Sequence, residues 1–164
     1  MKHLPKHVRP RWRYLAVGIE AWPDAGIERS DFQRALWFAA GNLLGDPGSA
    51  DAGVRVVAYS FRDGRGEALV RARRGTVSRA RAAVACVSAV REHPVRVCVR
   101  GVSGTMRAAR ERYLDGLDTP ERRSDVAFDG DARDGVCRGE NVDVVAGDDG
   151  WVGARRRDCG TDGE

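Results

Sequence analysis

Between Tyr14 and Arg100 the hydrophobic period of the chain switches between two and about 3.6, and the order of those switches leaves few folds open. Tyr14–Glu20 reads as a strand, with Leu15, Val17 and Ile19 facing one way and Tyr14, Ala16, Gly18 and Glu20 the other. Ala21–Arg29 carries turn chemistry in Trp22-Pro23-Asp24 and Gly26. Ser30 opens a helix, because Ser30-Asp31-Phe32-Gln33 has the form of a capping box. Phe32, Leu36, Ala39, Ala40 and Leu43 give that helix a buried stripe, Trp37 and Phe38 widen it, and Gly45 ends it ahead of Pro47 and Gly48. Val54–Phe61 is a second strand, Asp63-Gly64-Arg65-Gly66 a hairpin signal, and Glu67–Arg73 a third strand. Gly75 and Thr76 start a second helix with Val77, Ala80, Val84 and Val87 inside and Arg79 and Arg81 outside. His93-Pro94 then delivers the chain to a last strand, where Val95, Val97 and Val99 alternate with Arg96, Cys98 and Arg100. The order β-α-β-β-α-β predicts an α/β (α+β) sandwich of ferredoxin-like type: a four-stranded antiparallel sheet with two helices on one face.

The last strand is expected to break at Gly101-Val102-Ser103-Gly104-Thr105, and Met106–Leu114 adds a helix carrying Arg107, Arg110 and Arg112. A glycine-rich turn entering a helix offers backbone N–H groups and the positive end of a helix dipole, which suits a phosphate. Equally, the turn packs the final helix against the sheet. The opposite face of the sheet stays open unless that helix or another chain covers it.

Charge separates the chain into parts. Residues 1–116 hold 21 Lys and Arg against 11 Asp and Glu, and residues 117–164 hold 7 against 13. A basic first part with an acidic tail points to a polyanion partner for the first part. The organisation expected is a basic arm over 1–13, a domain over 14–116, and an acidic extension over 117–164 that is partly disordered or a small β appendage. In the arm, Arg9, Arg11 and Arg13 flank Trp12, a mixture suited to RNA backbone and base stacking; the alternative is a solvated arm with Trp12 packed on the domain.

Other chemistry finds little support. No apolar run of about 18 residues and no signal-like N-terminus is present, which predicts a cytoplasmic chain. Cys86, Cys98, Cys137 and Cys159 form no C-x-x-C pair, and His3, His7 and His93 complete no metal spacing. Cys86 and Cys98 read as core thiols. The phosphate-binding G-x-x-x-x-G-K-[ST] and G-x-G-x-x-G loops are missing, and acidic residues before 117 read as caps and surface groups. Acylphosphatase-type enzymes share this topology, but Glu20-Ala21-Trp22-Pro23-Asp24 stands where they cradle phosphate and cannot do so. Arginine gathers instead in the arm, at Arg73 and Arg74, at Arg96 and Arg100, and in the final helix. The third strand carries no aromatic, so backbone recognition by arginine fits better than stacking on the sheet.

Four segments in order, LPKHVRPRWRYLAVGIE, FQRALWFAAGNLLGDPGSADAG, GEALVRARRGTVSRARAAVACV and VRVCVRGVSGTMRAARERYL, resemble the archaeal ribonuclease P protein component 2 family. The resemblance covers roughly residues 4–114, and Arg100–Thr105 is its most specific piece. It implies an RRM-like sandwich and a non-catalytic protein subunit of the endoribonuclease that removes 5′ leaders from precursor tRNA. The RNA subunit would carry out the hydrolysis with bound magnesium, and this chain would bind no cofactor itself. The partners implied are the ribonuclease P RNA, the TIM-barrel-like component 3, other protein components, and precursor tRNA as substrate of the complex. On this resemblance Arg100, Ser103, Gly104, Thr105, Arg107 and Arg110 become candidates for RNA contact, beside Arg9, Arg11, Arg13, Arg73, Arg74 and Arg96. No role carries onto 117–164. The competing readings are a generic RNA-binding or ribosomal protein of the same fold, and a regulatory small-molecule domain, which would need neither the charge nor the arm.

Overall fold

A computed structural model of the chain describes residues 9–114, 116, 121–147 and 150–160. Arm residues before Arg9, Lys2 and Lys6 included, lie outside the described residues. The chain divides into two units, residues 1–21 with 25–117, and residues 22–24 with 118–164.

The first unit follows the order its hydrophobic pattern dictates. Strand β1 (Trp12–Glu20) leads to helix α1 (Arg29–Ala52), the hairpin β2 (Arg55–Arg62) and β3 (Arg65–Arg73), and helix α2 (Val77–Ala85). A two-residue pairing, β4 (Ala89–Val90) with β5 (His93–Pro94), precedes β6 (Arg96–Ser103) and helix α3 (Met106–Tyr113). The four long strands form one sheet in the order β2-β3-β1-β6, every neighbouring pair antiparallel. That is the ferredoxin-like arrangement. Asp63 and Gly64 both adopt positive φ, 49° and 73°, the type I′ geometry that joins β2 to β3 without splaying them.

Leu15, Val17, Ile19, Val56, Ala68, Val70 and Ala72 face α1 and α2 and are buried with Phe32, Leu36, Ala40, Ala80, Ala83 and Val84. Helix α3 covers the other face. Its Ala109 is buried against Ala16 and Leu69, with Tyr14, Val57, Ala58, Met106 and Tyr113 around them. A Cβ added to Gly101 would collide with the Tyr113 ring, so only glycine lets α3 lie this close to β6.

Several local expectations give way to tertiary contacts. Helix α1 does not end at Gly45: the chain kinks there (φ 69°, ψ 170°) and runs on to Ala52, stopping at Gly53 in the left-handed region. Pro47 sits in the first turn after the kink, where its missing N–H costs nothing. The capping box does not form. Glu28 is the N-cap residue, and Gln33 Oε1 instead accepts from Val56 N at 2.6 Å, while Arg29 Nη2 donates to Val56 O at 2.7 Å. Trp37, Phe38 and Leu43 do not widen the core; they are 54%, 72% and 46% exposed, because the core-facing arc of α1 is filled by Phe32, Leu36, Ala39 and Ala40. β1 begins at Trp12, before the expected Tyr14, and β6 continues through Gly101–Ser103 rather than breaking there, after a register shift at Arg100. Cys86 and Cys98 are exposed, since one follows α2 and the other shares the face of Arg96; Cys137 and Cys159 are the buried pair. Asp31 and Glu67, expected at the surface, are buried.

The second unit is a meander, β7 (Glu121–Phe128), β8 (Asp131–Arg138), β9 (Asn141–Ala146) and β10 (Gly150–Arg155), in sequential order. Val126, Cys137, Val142, Val144 and Cys159 make its small core. Arg138 pairs with Asp143 at 2.7 Å, both largely buried.

Tyr59 ties α1 to β2. Its hydroxyl donates to Ile27 O at 2.8 Å, and its ring stacks between Phe32 and Phe61 at 5.9 and 6.4 Å. Burial pushes its pKa up from 10.0, and the Asp31 carboxylate adds to the rise. The folded state therefore keeps the phenol proton where the unfolded chain has lost it, so the stability involved is intact below pH 10 and falls as pH rises above it. Tyr59→Phe is expected to cost about 1 kcal/mol at neutral pH and to shrink the alkaline loss, as read from denaturant midpoints on either side of about pH 10.

Candidate nucleic-acid interface

The register of the sheet gathers part of the arginine at one end. Trp12 pairs with Arg73, Tyr14 with Arg71 and with Ser103, and Arg71 with Arg55. Arg74 N donates to Arg11 O at 2.9 Å, which holds the last of the arm beside the start of α2. The Arg71 guanidinium lies over the Trp12 ring at 4.0 Å, and a Cβ added at Gly53 would stand 3.5 Å from the ring's Cζ3. Trp12 is thus half-buried within the unit with one face on Arg71, the packing alternative for the arm.

Arg73 and Arg79 share the Asp51 carboxylate at 3.3 and 3.6 Å, so this group of charges keeps a positive excess. Arg74 and Arg55 are exposed and make no ion pair among the described residues. Ser103, Gly104 and Thr105 end β6 at the same edge, with Arg13 Nη1 3.8 Å from where a Gly104 Cβ would be. Thr105 is the N-cap of α3, its Oγ1 accepting from Ala108 N at 3.2 Å. The glycine-rich run therefore divides: Gly101–Ser103 is paired strand, Gly101 serves the packing of α3, and only Gly104–Thr105 is an open turn. Arg107 pairs with Glu111 along α3 at 2.7 Å, both ends exposed, a contact worth little. Arg110 and Arg112 are exposed on the same helix without an acidic partner among the described residues.

Arg9, Arg11, Arg13, Arg73, Arg74, Ser103, Gly104, Thr105 and Arg107 thus belong to this end or lead into it, and Arg110 lies one turn along α3. Arg96 does not. It pairs with Glu20 at 2.9 Å, at the far end of β1, roughly 20 Å from Tyr14 at strand spacing. Arg100 turns inward across Gly18, where an added Cβ would stand 2.9 Å from its Nε, and binds Glu67 at 2.7 Å. Its side chain is 24% exposed and that of Glu67 9%, so its charge is met inside the unit. Sequence alone passes over Arg55, which only the cross-strand register carries to Arg71; no local pattern announces it.

With α3 over the outer face, the central strands present no platform of the kind on which RRM domains stack bases. What remains is a rim of guanidinium groups about an open turn, suited to phosphates. Among the described residues no group of three or more His, Cys, Asp or Glu is placed to hold a metal ion. Among the described residues no helix is long and apolar enough to cross a membrane.

The model of the Rpp14/Pop5 family matches residues 13–114, from β1 to the end of α3. The chain belongs to the Rpp14/Pop5 family. Ribonuclease P protein component 2 of Halorubrum lacusprofundi is 58% identical over 154 residues, 94% of this chain and 96% of that protein. The protein of the same name from Natronomonas pharaonis is 56% identical over 144 residues, 88% of this chain and 89% of its own length. That from Methanosarcina mazei is 32% identical over 114 residues, 93% of its length but 70% of this chain. The Rpp14/Pop5 core is therefore the first unit. The β-meander lies beyond the family model, in a part of the chain for which the shorter Methanosarcina protein has no equivalent length.

Within the Rpp14/Pop5 core, the Arg100–Glu67 pair is structural. Arg100→Ala leaves the Glu67 carboxylate buried and unpaired, and is expected to destabilise the fold by about 3 kcal/mol, whereas Arg74→Ala changes stability by less than about 0.5 kcal/mol. Urea unfolding of the two variants checks the difference.

Proposed function

We propose that this chain is a protein subunit of ribonuclease P, one that binds the RNA responsible for cleaving 5′ leaders from precursor tRNA. The match of the whole first unit to proteins named ribonuclease P protein component 2 carries the reading. The geometry supports a binding rather than a chemical role. Folding an RNA catalytic core brings phosphates together, and guanidinium groups at the rim of a rigid sheet offset that repulsion without reading bases. On this reading Arg11, Arg13, Arg55, Arg73, Arg74, Gly104, Thr105, Arg107 and Arg110 face RNA, while Arg96 and Arg100 maintain the sheet. Magnesium belongs to the RNA subunit, the chain works with component 3 and the other protein components in the cytoplasm, and precursor tRNA is the substrate of the assembly.

Reconstitution tests this directly. Adding the chain to its cognate RNA subunit and component 3 is expected to raise precursor-tRNA cleavage at low magnesium; equal cleavage with and without it overturns the assignment. In the same system Arg74→Ala combined with Arg110→Ala should weaken RNA binding and lower the slope of log K against log salt by about two. Arg96→Ala, at the opposite end of β1, should leave that slope where it is.

A further inference from the structure

A groove of about 420 Å³ opens beside the start of β2, lined by Glu28, Arg29, Ser30, Gln33, Trp37, Arg55 and Val56. It adjoins the basic end through Arg55, the cross-strand partner of Arg71. Its wall is the Trp37 indole, more than half exposed, with Nε1 donating to Val54 O at 3.0 Å. That bond fixes the plane of the ring and uses up its one donor, so the ring can offer a ligand only its face. Arg29 spends one donor on Val56 O and keeps the others. Arg55 has no ion-pair partner among the described residues. Gln33 Oε1 is committed to Val56 N, which fixes the orientation of the amide, and its buried Nε2 has no hydrogen-bond partner among the described residues.

We propose that this groove holds one unpaired nucleotide of RNA, its base stacked on Trp37 and its phosphate on Arg55 and Arg29. The inference rests on the RNA-binding reading above and adds a second kind of contact to it. An indole held in place, beside guanidinium groups, is the combination by which proteins take single-stranded RNA: the ring loses little freedom on stacking, and every base has a face to offer. The lining has two arginines against one glutamate, a positive excess that suits a phosphate. The groove volume is within the range of small-ligand sites.

The test titrates the full chain with a single-stranded oligoadenylate of about eight nucleotides, following tryptophan fluorescence and affinity. The wild-type chain is expected to show quenching. Trp37→Leu keeps an apolar side chain there, and should lose most of the quenching and bind on the order of tenfold more weakly. Arg55→Gln, which leaves Trp37 in place, should weaken binding and lower the salt slope by about one. Equal affinity and quenching in all three chains overturns the proposal. So does a Trp37→Leu chain that binds the oligonucleotide normally but changes its sedimentation, which would make the groove a contact between copies. Reconstituted cleavage separates the two claims: if the wild-type chain raises precursor-tRNA cleavage while the variants bind oligoadenylate as it does, the groove assignment alone fails.

Discussion

Two glycines on the outer face of the sheet decide what the rest of the first unit can be. At Gly18 the absence of a side chain gives Arg100 a path across β1 to Glu67. At Gly101 it lets Tyr113 settle onto β6. Together they turn a face that would otherwise meet water into a second buried layer, where Ala16, Leu69 and Ala109 come together. With α3 seated, its N-cap Thr105 is held at the end of the sheet where Trp12, Arg71 and Arg73 converge. The position of the open turn relative to the arginines thus follows from packing several residues away from either.

This arrangement separates two uses of arginine that composition cannot tell apart. Arg100 and Arg138 are held by largely buried carboxylates and act as internal struts, whereas Arg74 and Arg110 stand in solvent. Guanidinium suits both duties because it stays charged at any accessible pH and presents a planar fork. A count of arginines over the first 116 residues therefore overstates those available to a polyanion, although the net charge is unchanged, since each strut cancels against its own carboxylate. The useful quantity is the unpaired charge at one end of the sheet.

The strand and helix order was legible because burial on one face imposes a period on the residues that make it: Leu15, Val17 and Ile19, or Ala80 and Val84, report their partners through spacing alone. The second layer was not. Gly18 and Gly101 show no period, and the register shift at Arg100 puts that residue on a face local alternation does not fix. Trp37 and Phe38 look like core in any window of α1, yet the sheet has room for only one arc of the helix, already filled by smaller residues. Gln33 has the right spacing for a cap, but a backbone amide from β2 competes for its oxygen and wins. Most of the candidate site was legible, namely Arg11, Arg13, Arg73, Arg74, the Gly104–Thr105 turn, Arg107 and Arg110. Arg55 enters only through pairing with a strand more than ten residues away in sequence.

The side chains that reach from α1 to Val56 bear on a different matter. β2 is an outer strand of the sheet, and outer strands with unmatched N–H and C=O groups invite other chains to add on. Here Gln33 receives the Val56 N–H and Arg29 donates to its carbonyl, so the opening of β2 is occupied by its own helix. A free edge beside a positively charged rim would be a hazard when many copies are concentrated along one polyanion. Blunting it leaves the rim exposed without letting the sheet recruit itself.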